Sequence, residues 1–499
     1  MTQTEVLAFD LGAGSGRAMI GMLKVEDGRK LLELEEIHRF PNEQIRLGNH
    51  LHWDILGLFT QLKTGLKRAF QGGHQPRSFG IDTWGVDFGL LDRNGELIGI
   101  PYSYRDSQTE GLIGELNRLI GAEALYAQSG LQFMPFNTVY QLVAMRKASS
   151  PKLDAAETLL FMPDLLTYML TGVISCEFTI ASTSGLLHPV TREWNHALMD
   201  QLRIPERLFV DPMQPGTWVG TLRPDICEEL GIPAIQAVAV GTHDTESAVV
   251  AVPASDGPFC YLVSGTWSLF GTELDEAIVS REALEQNFSN EGGVGGKYQL
   301  LKNIMGMWLL EECRREWKQA GEEASYEQLI AEARDVRPFR SLIDPEDLRF
   351  YSPGEMAEKI RSFCRETGQP EPGSRGELVR CILESLALKY RDVFEQTERL
   401  TGQQFAALHM VGGGIRNTLL CQFTANALGK QVLAGPVEAS ALGNALVQLM
   451  HLGEVADLQE ARRIVRDSFE VAVYEPQDIE MWQAEFVRYK GLRGAEGSV

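Results

Sequence analysis

The sequence predicts an α/β protein of at least two domains, and three observations predict it. The chain has 499 residues, against roughly 150 for an average domain. Each half opens with the same device: a strand, a turn of small residues and a second strand. Apolar strands then alternate with segments of helical period.

In the first half, Val6-Leu7-Ala8-Phe9 reads as a buried strand that runs into Asp10. The turn Gly12-Ala13-Gly14-Ser15-Gly16 follows, then a strand from Arg17 to Val25. Asp27-Gly28 signals a tight hairpin. Leu31 to Phe40 continues as strand, so the chain opens as three antiparallel strands. Leu56 to Phe70 has helical spacing. Arg77 to Leu91 reads as strand, bend and strand, with Asp82-Thr83-Trp84-Gly85-Val86-Asp87 at the bend. Helices are expected at 110–120, 139–147 and 163–170, the last stopped by Thr171-Gly172. Ala234 to Val240 is a strand entering Gly241-Thr242-His243-Asp244.

The pattern restarts after residue 258. Phe259 to Val263 is a strand, Ser264-Gly265-Thr266-Trp267-Ser268 a small-residue turn, and Leu269 to Leu274 the returning strand. Tyr298 to Lys302 is a further strand, and helices are expected at 307–319, 325–334 and 377–397. Ala407 to Val411 leads into Gly412-Gly413-Gly414 and a helix ending at Leu428, closed by Gly429. A final strand and helix precede an acidic tail. The domain boundary is expected near 245–258, giving domains of residues 1–250 and 251–499.

Composition narrows the partners. Lys and Arg number 46 against 68 Asp and Glu, a formal net charge of −22. A field of that sign repels phosphate backbones and anionic membranes, so nucleic acid and membrane are not expected partners. Hydrophobic residues at 44% suffice for sizeable cores. No apolar run approaches the ~18 residues of a membrane span. The start, Met1-Thr2-Gln3-Thr4-Glu5, lacks the basic and apolar stretches of a secretion signal. Seven cysteines, an odd number with no C-x-x-C pair, favour neither a disulfide framework nor a zinc site. A reducing cytoplasm is the expected setting.

Three schemes compete for Gly12 to Arg17. A P-loop needs Lys-Ser or Lys-Thr after the glycines, which is absent. A dinucleotide fingerprint needs a third glycine and a helix, but Arg17 and strand pattern stand there. A hairpin turn whose N–H groups receive phosphate fits, with Asp10 placed to hold Mg²⁺ through water. An ordinary hairpin turn is the competing reading. The second turn, Ser264 to Ser268, repeats the device, and Gly412-Gly413-Gly414 offers bare backbone against which an adenine can lie. Asp244 reads either as a general base or as the N-cap of the following helix. His243 reads more readily as a structural histidine than as a sugar ligand.

Taken in order, Asp10-Leu11-Gly12 with Arg17, Gly241-Thr242-His243-Asp244, Ser264-Gly265-Thr266 and Gly412-Gly413-Gly414 resemble the sugar-kinase (FGGY) family that contains glycerol kinase and xylulokinase, within the actin-like ATPase superfamily. Arg380 to Ser385 and Glu438 to Asn444 resemble further signatures of it. The segments Gly80 to Asp87, Tyr102 to Asp106, Asn290-Glu291-Gly292-Gly293 and Leu301 to Trp308 resemble one branch, whose sugar is a ketose phosphorylated on its 1-hydroxyl. Thr138 and Gln141 depart from the Lys and Trp usual in the general signature.

The resemblance implies two ribonuclease-H-like domains flanking a catalytic cleft. The first carries the sugar, the first phosphate turn and the base, and the second the nucleotide. It implies ATP as co-substrate with Mg²⁺. Asp244 becomes the base, and Gly85, His243, Asp244, Thr245 and Asn303 the sugar ligands. Ala13, Gly14, Ser15, Gly16, Arg17, Thr266, Glu311 and Gly413 are assigned to ATP, and Asp10 to the metal. At Glu311 one branch of the family can carry Gln, and an acid sits less easily beside phosphates. Asp82, Asp87, Tyr104, Arg105 and Asp106 are expected around the same pocket, Trp84 reads equally as pocket lining or as core, and the loop Asn49 to Trp53 is a further candidate. Domain closure over the sugar is expected to exclude water. The expected state is a monomer or weak homo-oligomer. Two alternatives remain: a kinase for a different ketose, and a catalytically silent sugar or nucleotide sensor on this fold.

Overall fold

The structure is a computed structural model that describes residues 3–493; Met1, Thr2 and the last six residues of the second expected domain lie outside it. The chain forms two compact units. One comprises residues up to Asp256 with Glu273–Leu301 and Glu438–Phe469. The other comprises Gly257–Thr272, Lys302–Val437 and the residues from Glu470 onward.

The first unit is built on a six-stranded sheet. Strand Gln3–Leu11 pairs antiparallel with Ser15–Glu26, which pairs antiparallel with Arg29–Pro41. On its other edge Gln3–Leu11 runs parallel to Ser78–Thr83, and that strand parallel to Gln236–Ala239. Thr217–Thr221 closes the sheet antiparallel. At the first hairpin Asp27 (φ 48°) and Gly28 (φ 77°) both adopt the left-handed conformation that a tight two-residue turn demands.

The first strand is a continuous apolar run because both of its faces are covered. Leu7, Phe9 and Leu11 join one core with Leu58, Leu62 and Leu66 of helix Ile55–Gln71. Ala8 faces the opposite way, against Met19 and Ala441 of helix Ala439–His451. That helix also lies against Asp244–Val250 so closely that a Cβ on Gly443 would overlap the Ser247 carbonyl group, whose carbon is 2.5 Å away. The strand after the Asp82–Asp87 bend, Phe88–Leu91, leaves the sheet and pairs with Thr158–Phe161.

The second unit repeats the topology. Cys260–Ser264 pairs antiparallel with Trp267–Leu274, then parallel with Ala407–Val411, which runs parallel to Gln431–Ala434. The long helix Arg375–Thr401 and the helix Thr418–Leu428 belong to this unit, and Gly429 (φ 64°) caps the latter. Ser325 and Gln328 form a reciprocal cap on helix Tyr326–Arg334. Among the described residues no helix is long and apolar enough to cross a membrane.

Candidate active site

In the first unit the sheet brings two carboxylates to the ends of adjacent strands. Asp10 is in register with Arg17 across the hairpin and with Asp82 on the parallel neighbour. Both acids are buried. Asn444 donates to Asp82 Oδ2 at 2.6 Å, while Asp82 Oδ1 has no hydrogen-bond partner. Burial first, then the Asp10 charge, pushes Asp82 well above the usual carboxylate range. Burial also raises Asp10, opposed by Arg17, whose guanidinium lies 3.9 Å away and is itself ion-paired with Glu438.

The glycine turn beside them is fastened from one side. Asn42 Nδ2 donates to the Gly12 carbonyl at 2.9 Å, and Asn42 N to the Gly14 carbonyl at 3.2 Å. In a planar trans peptide the N–H points opposite the carbonyl. The N–H groups of Ala13 and Ser15 therefore point away from Asn42, and a Cβ on Gly14 would meet nothing within 4 Å. The turn thus offers paired donors and bare backbone toward open space, the arrangement that receives a phosphate.

Strand Gln236–Ala239 delivers Gly241 to Asp244 beside these groups. Thr83 N donates to the Thr242 carbonyl at 2.9 Å. The buried Glu177 carboxylate accepts from Thr242 Oγ1 at 2.5 Å and Thr242 N at 3.2 Å, and also holds Thr179 and Ile180. Asp244 opens helix Asp244–Val250, but His243 takes the N-cap position, so the Asp244 carboxylate is not spent on capping. Its neighbours are Thr245 Oγ1 at 3.3 Å and His243 Nε2 at 3.6 Å. The Asp244 side chain keeps 28% exposure. Burial pushes its pKa up to about 6, with His243 opposing and Asp10 adding. Burial pushes His243 down, but Glu291 and Asp244 outweigh it and leave the imidazole raised.

Gly85 stands opposite His243. A Cβ there would lie 3.3 Å from Thr183 and 3.4 Å from His243 Nε2. The next residue, Val86, has φ 69°, a conformation a β-branched side chain rarely takes. Three side chains hold it there: Thr183 Oγ1 accepts from Val86 N, and Thr138 Oγ1 and Gln141 Nε2 donate to Val86 O. Gln141 also reaches Asp87 Oδ1 at 2.9 Å. The two departures from the family signature therefore brace the bend.

The remaining pocket candidates divide. Asp87 Oδ2 accepts from Trp53 Nε1, Trp84 Nε1 and Tyr104 N. Trp53 is fully buried and Trp84 nearly so, and both belong to the core. Asp106 is buried and accepts from Leu51 N and His50. Within Asn49 to Trp53, His50 keeps a side chain 46% exposed. Arg105 stacks its guanidinium over the Tyr104 ring. Thr245 is buried.

Thr266, Asn303, Glu311 and Gly413 belong to the second unit. Gly265-Thr266 links the strands Cys260–Ser264 and Trp267–Leu274, with Ser264 opposite Ser268, and the Thr266 carbonyl accepts from Trp308 N at 3.0 Å. Gly412 (φ 89°) and Gly414 press on Ser264, whose carbonyl oxygen would lie 2.9 Å from a Cβ on either. At Gly413 a Cβ would meet nothing within 4 Å, so its face is open. Asn303 lies half-buried on strand Tyr298–Met305. Glu311 accepts both hydrogen bonds of Arg314, at 2.9 and 3.0 Å, which neutralises the acid locally.

Two matches decide the family. The model of the FGGY family of carbohydrate kinases, N-terminal domain, matches residues 6–251, and that of its C-terminal domain residues 260–452. The chain belongs to the FGGY family of carbohydrate kinases. Among similar FGGY relatives is a rhamnulokinase of Bacteroides thetaiotaomicron, 46% identical over 97% of this chain and 98% of that one. A rhamnulokinase of Oceanobacillus iheyensis is 40% identical over 94% and 97%. Among solved structures, a xylulose kinase from Lactobacillus acidophilus aligns over 99% of this chain and 98% of its own at TM-score 0.80 and 16% identity. Plasmodium falciparum glycerol kinase aligns over 100% and 99% at 0.75 and 15%. These two show the fold, an α/β architecture shared over the whole chain.

Several members of the FGGY site escape a reading of the sequence. Asn42, Glu177 and Thr183 act through hydrogen bonds to residues 30 or more positions away, and no local pattern marks them. Glu438 lies in a signature segment, but its pairing with Arg17 emerges only from the fold.

Proposed function

We propose that the protein phosphorylates L-rhamnulose on its 1-hydroxyl with ATP, giving L-rhamnulose 1-phosphate and ADP, as a step of L-rhamnose breakdown. The observation that carries this reading is Asp244, a partly exposed carboxylate not spent on capping, raised to about 6, beside His243 and within electrostatic reach of Asp10. Relatives named rhamnulokinase at 40–46% identity, matched over nearly their whole length, supply the sugar.

Phosphoryl transfer passes through a loose in-line transition state, so the protein contributes position and charge balance. Asp244 Oδ accepts the proton of the sugar's primary hydroxyl as that oxygen attacks phosphorus. His243 Nε2 and the bare Gly85 form one wall for the sugar ring, with Thr245 and Asn303 as further sugar contacts. The N–H groups of Ala13 and Ser15, with Gly14, Gly16 and Arg17, receive phosphate oxygens, and Thr266 and Gly413 serve the nucleotide. A contact between Glu311 and ATP passes through its pairing with Arg314. The donor set fits a hard dication: Asp10 and Asp82 offer clustered carboxylate oxygens, one of them unpartnered. When bound, Mg²⁺ supplies charge neutralisation for the phosphates. Residues 1–250 carry the base, the first phosphate turn and most of the sugar contacts, residues 251–499 Asn303 and the remaining nucleotide contacts, and the setting is the cytoplasm.

An ADP-coupled assay over L-rhamnulose, L-fuculose, D-xylulose, L-ribulose and glycerol tests the substrate. L-Rhamnulose has the highest kcat/KM on this reading. A higher value for another sugar assigns the chain to that sugar, and no turnover on any of them leaves the silent sensor.

A further inference from the structure

One cluster in the first unit shares only His243 with this chemistry, through the ring nitrogen the sugar does not meet. His243, Glu246 and Glu291 are all more than nine-tenths buried. One donor atom from each lies within 4.8 Å of the others. None of these atoms has a hydrogen-bond partner: His243 Nδ1, Glu291 Oε2 and both carboxylate oxygens of Glu246 are orphaned. His243 Nδ1 and Glu291 Oε2 lie 3.1 Å apart, an ion pair when the imidazole is protonated. The charged groups acting on Glu246 are Glu291, Glu273, Glu177 and Asp244, all acidic. Glu273, one of these, is itself paired with Arg462 at 2.8 Å.

Two carboxylates in one buried place, one of them unpartnered on both oxygens and the other beside a single imidazole, are costly without a further counter-charge. We propose that His243 Nδ1, Glu246 and Glu291 bind a divalent transition-metal ion, Zn²⁺ or Mn²⁺, at a site separate from that of MgATP. One imidazole nitrogen and two carboxylates form a donor set these ions accept, whereas Mg²⁺ prefers oxygen and retains its waters. Bonds of about 2.1 Å place neighbouring donors roughly 3–3.5 Å apart, and the His243–Glu291 spacing of 3.1 Å already meets this. The ion's two positive charges cancel the two carboxylates. The ring's other nitrogen, Nε2, faces Gly85 and Asp244. Metal on Nδ1 therefore leaves the proton on Nε2, as a donor toward the sugar side. The site clamps helix Asp244–Val250 to the strand Ser289–Gly292 and fixes the imidazole beside the base. It does not depend on which sugar is the substrate.

The test is metal content of the purified full-length protein by mass spectrometry, followed by Zn²⁺ and Mn²⁺ titrations of the chelator-stripped protein read by thermal melting without ATP or sugar. The expected result is about one equivalent of transition metal per chain, and a melting temperature that rises to saturation near that ratio. Glu246→Ala and the isosteric Glu246→Gln lose the bound metal and weaken Zn²⁺ binding tenfold or more, while Asp10→Asn retains both. Wild-type protein that holds no metal and melts at the same temperature with and without Zn²⁺ and Mn²⁺ overturns the proposal, and needs no variant to fold. Equal metal binding by wild type and Glu246→Gln, or loss of binding in Asp10→Asn alone, overturns it as well.

Discussion

Asp10 and Asp82 stand side by side as register partners on adjacent parallel strands, and Asn444 donates to Asp82 from the helix packed on that face. Two buried carboxylates this close do not both ionise freely. Burial and the Asp10 charge push Asp82 well up, whereas Arg17 and Arg39 oppose the rise of Asp10, so Asp82 holds a proton the more tightly of the two. The charge of the pair thus resides mainly on Asp10. Asp10→Asn should therefore raise the Mg²⁺ concentration for half-maximal velocity about tenfold or more. Asp82→Asn should change it far less, because the raised Asp82 carboxyl carries less of the pair's charge. Mg²⁺ titrations of initial rate at fixed ATP check both, and equal effects would remove the asymmetry.

Asp244→Asn should lower kcat by about 10²–10⁴-fold, the range for loss of a general base. Sugar and ATP affinities, measured by calorimetry, should stay within a few-fold of wild type. A variant with near wild-type kcat would sink the assignment.

The pH dependence follows from the same carboxylate. The base must be ionised, and its pKa lies at about 6 in the free protein. The log of kcat/KM should be flat above about pH 7 and fall with unit slope below about pH 6. His243 lowers this pKa, so His243→Gln should move the acid limb to higher pH. A shift to lower pH would contradict the electrostatics.

Gly443→Ala should destabilise the protein by about 3 kcal/mol or more, because the clash is with backbone rather than with a flexible side chain. The helices Asp244–Val250 and Ala439–His451 must separate to admit the methyl group, so kcat should fall too. Urea denaturation monitored by fluorescence measures the first effect.

Two adjacent glycines should behave oppositely. Gly413→Ala adds a methyl group to open space and should raise KM for ATP while leaving the melting temperature unchanged. Gly414→Ala drives a methyl group into Ser264, where Cβ lies 2.8 Å from the added carbon, and should lower the melting temperature. Parallel melting curves and ATP titrations separate the two.

Much of the fold was legible because its signals are local. The Asp27-Gly28 turn, the paired apolar strands and the helix stop at Gly429 each rest on a few neighbouring residues. The duplicated strand–turn–strand device revealed two α/β domains. The chain does not stay on one side of a single boundary, however: Glu273–Leu301 and Glu438–Phe469 return to the first unit. Nothing local marks such a return, because the packing of Ala441 and Gly443 on distant strands and helices directs it. The site divides the same way. Asp10, the glycine turn and Asp244 lie at strand ends that periodicity exposes. Asn42, Glu177, Thr183 and the bracing roles of Thr138 and Gln141 depend on which distant backbone atoms the fold presents. Asp87 looked like a pocket residue from its bend and Trp84 read either way, but the structure ties them to Trp53 in the core.

The most direct measurement is phosphorus–proton correlation NMR of the product formed from L-rhamnulose and MgATP. The account predicts a single new phosphate monoester coupled to the C1 methylene protons, formed in step with ADP by wild-type protein and not by Asp244→Asn. A phosphate ester on another carbon, or inorganic phosphate as the sole new species, would contradict it.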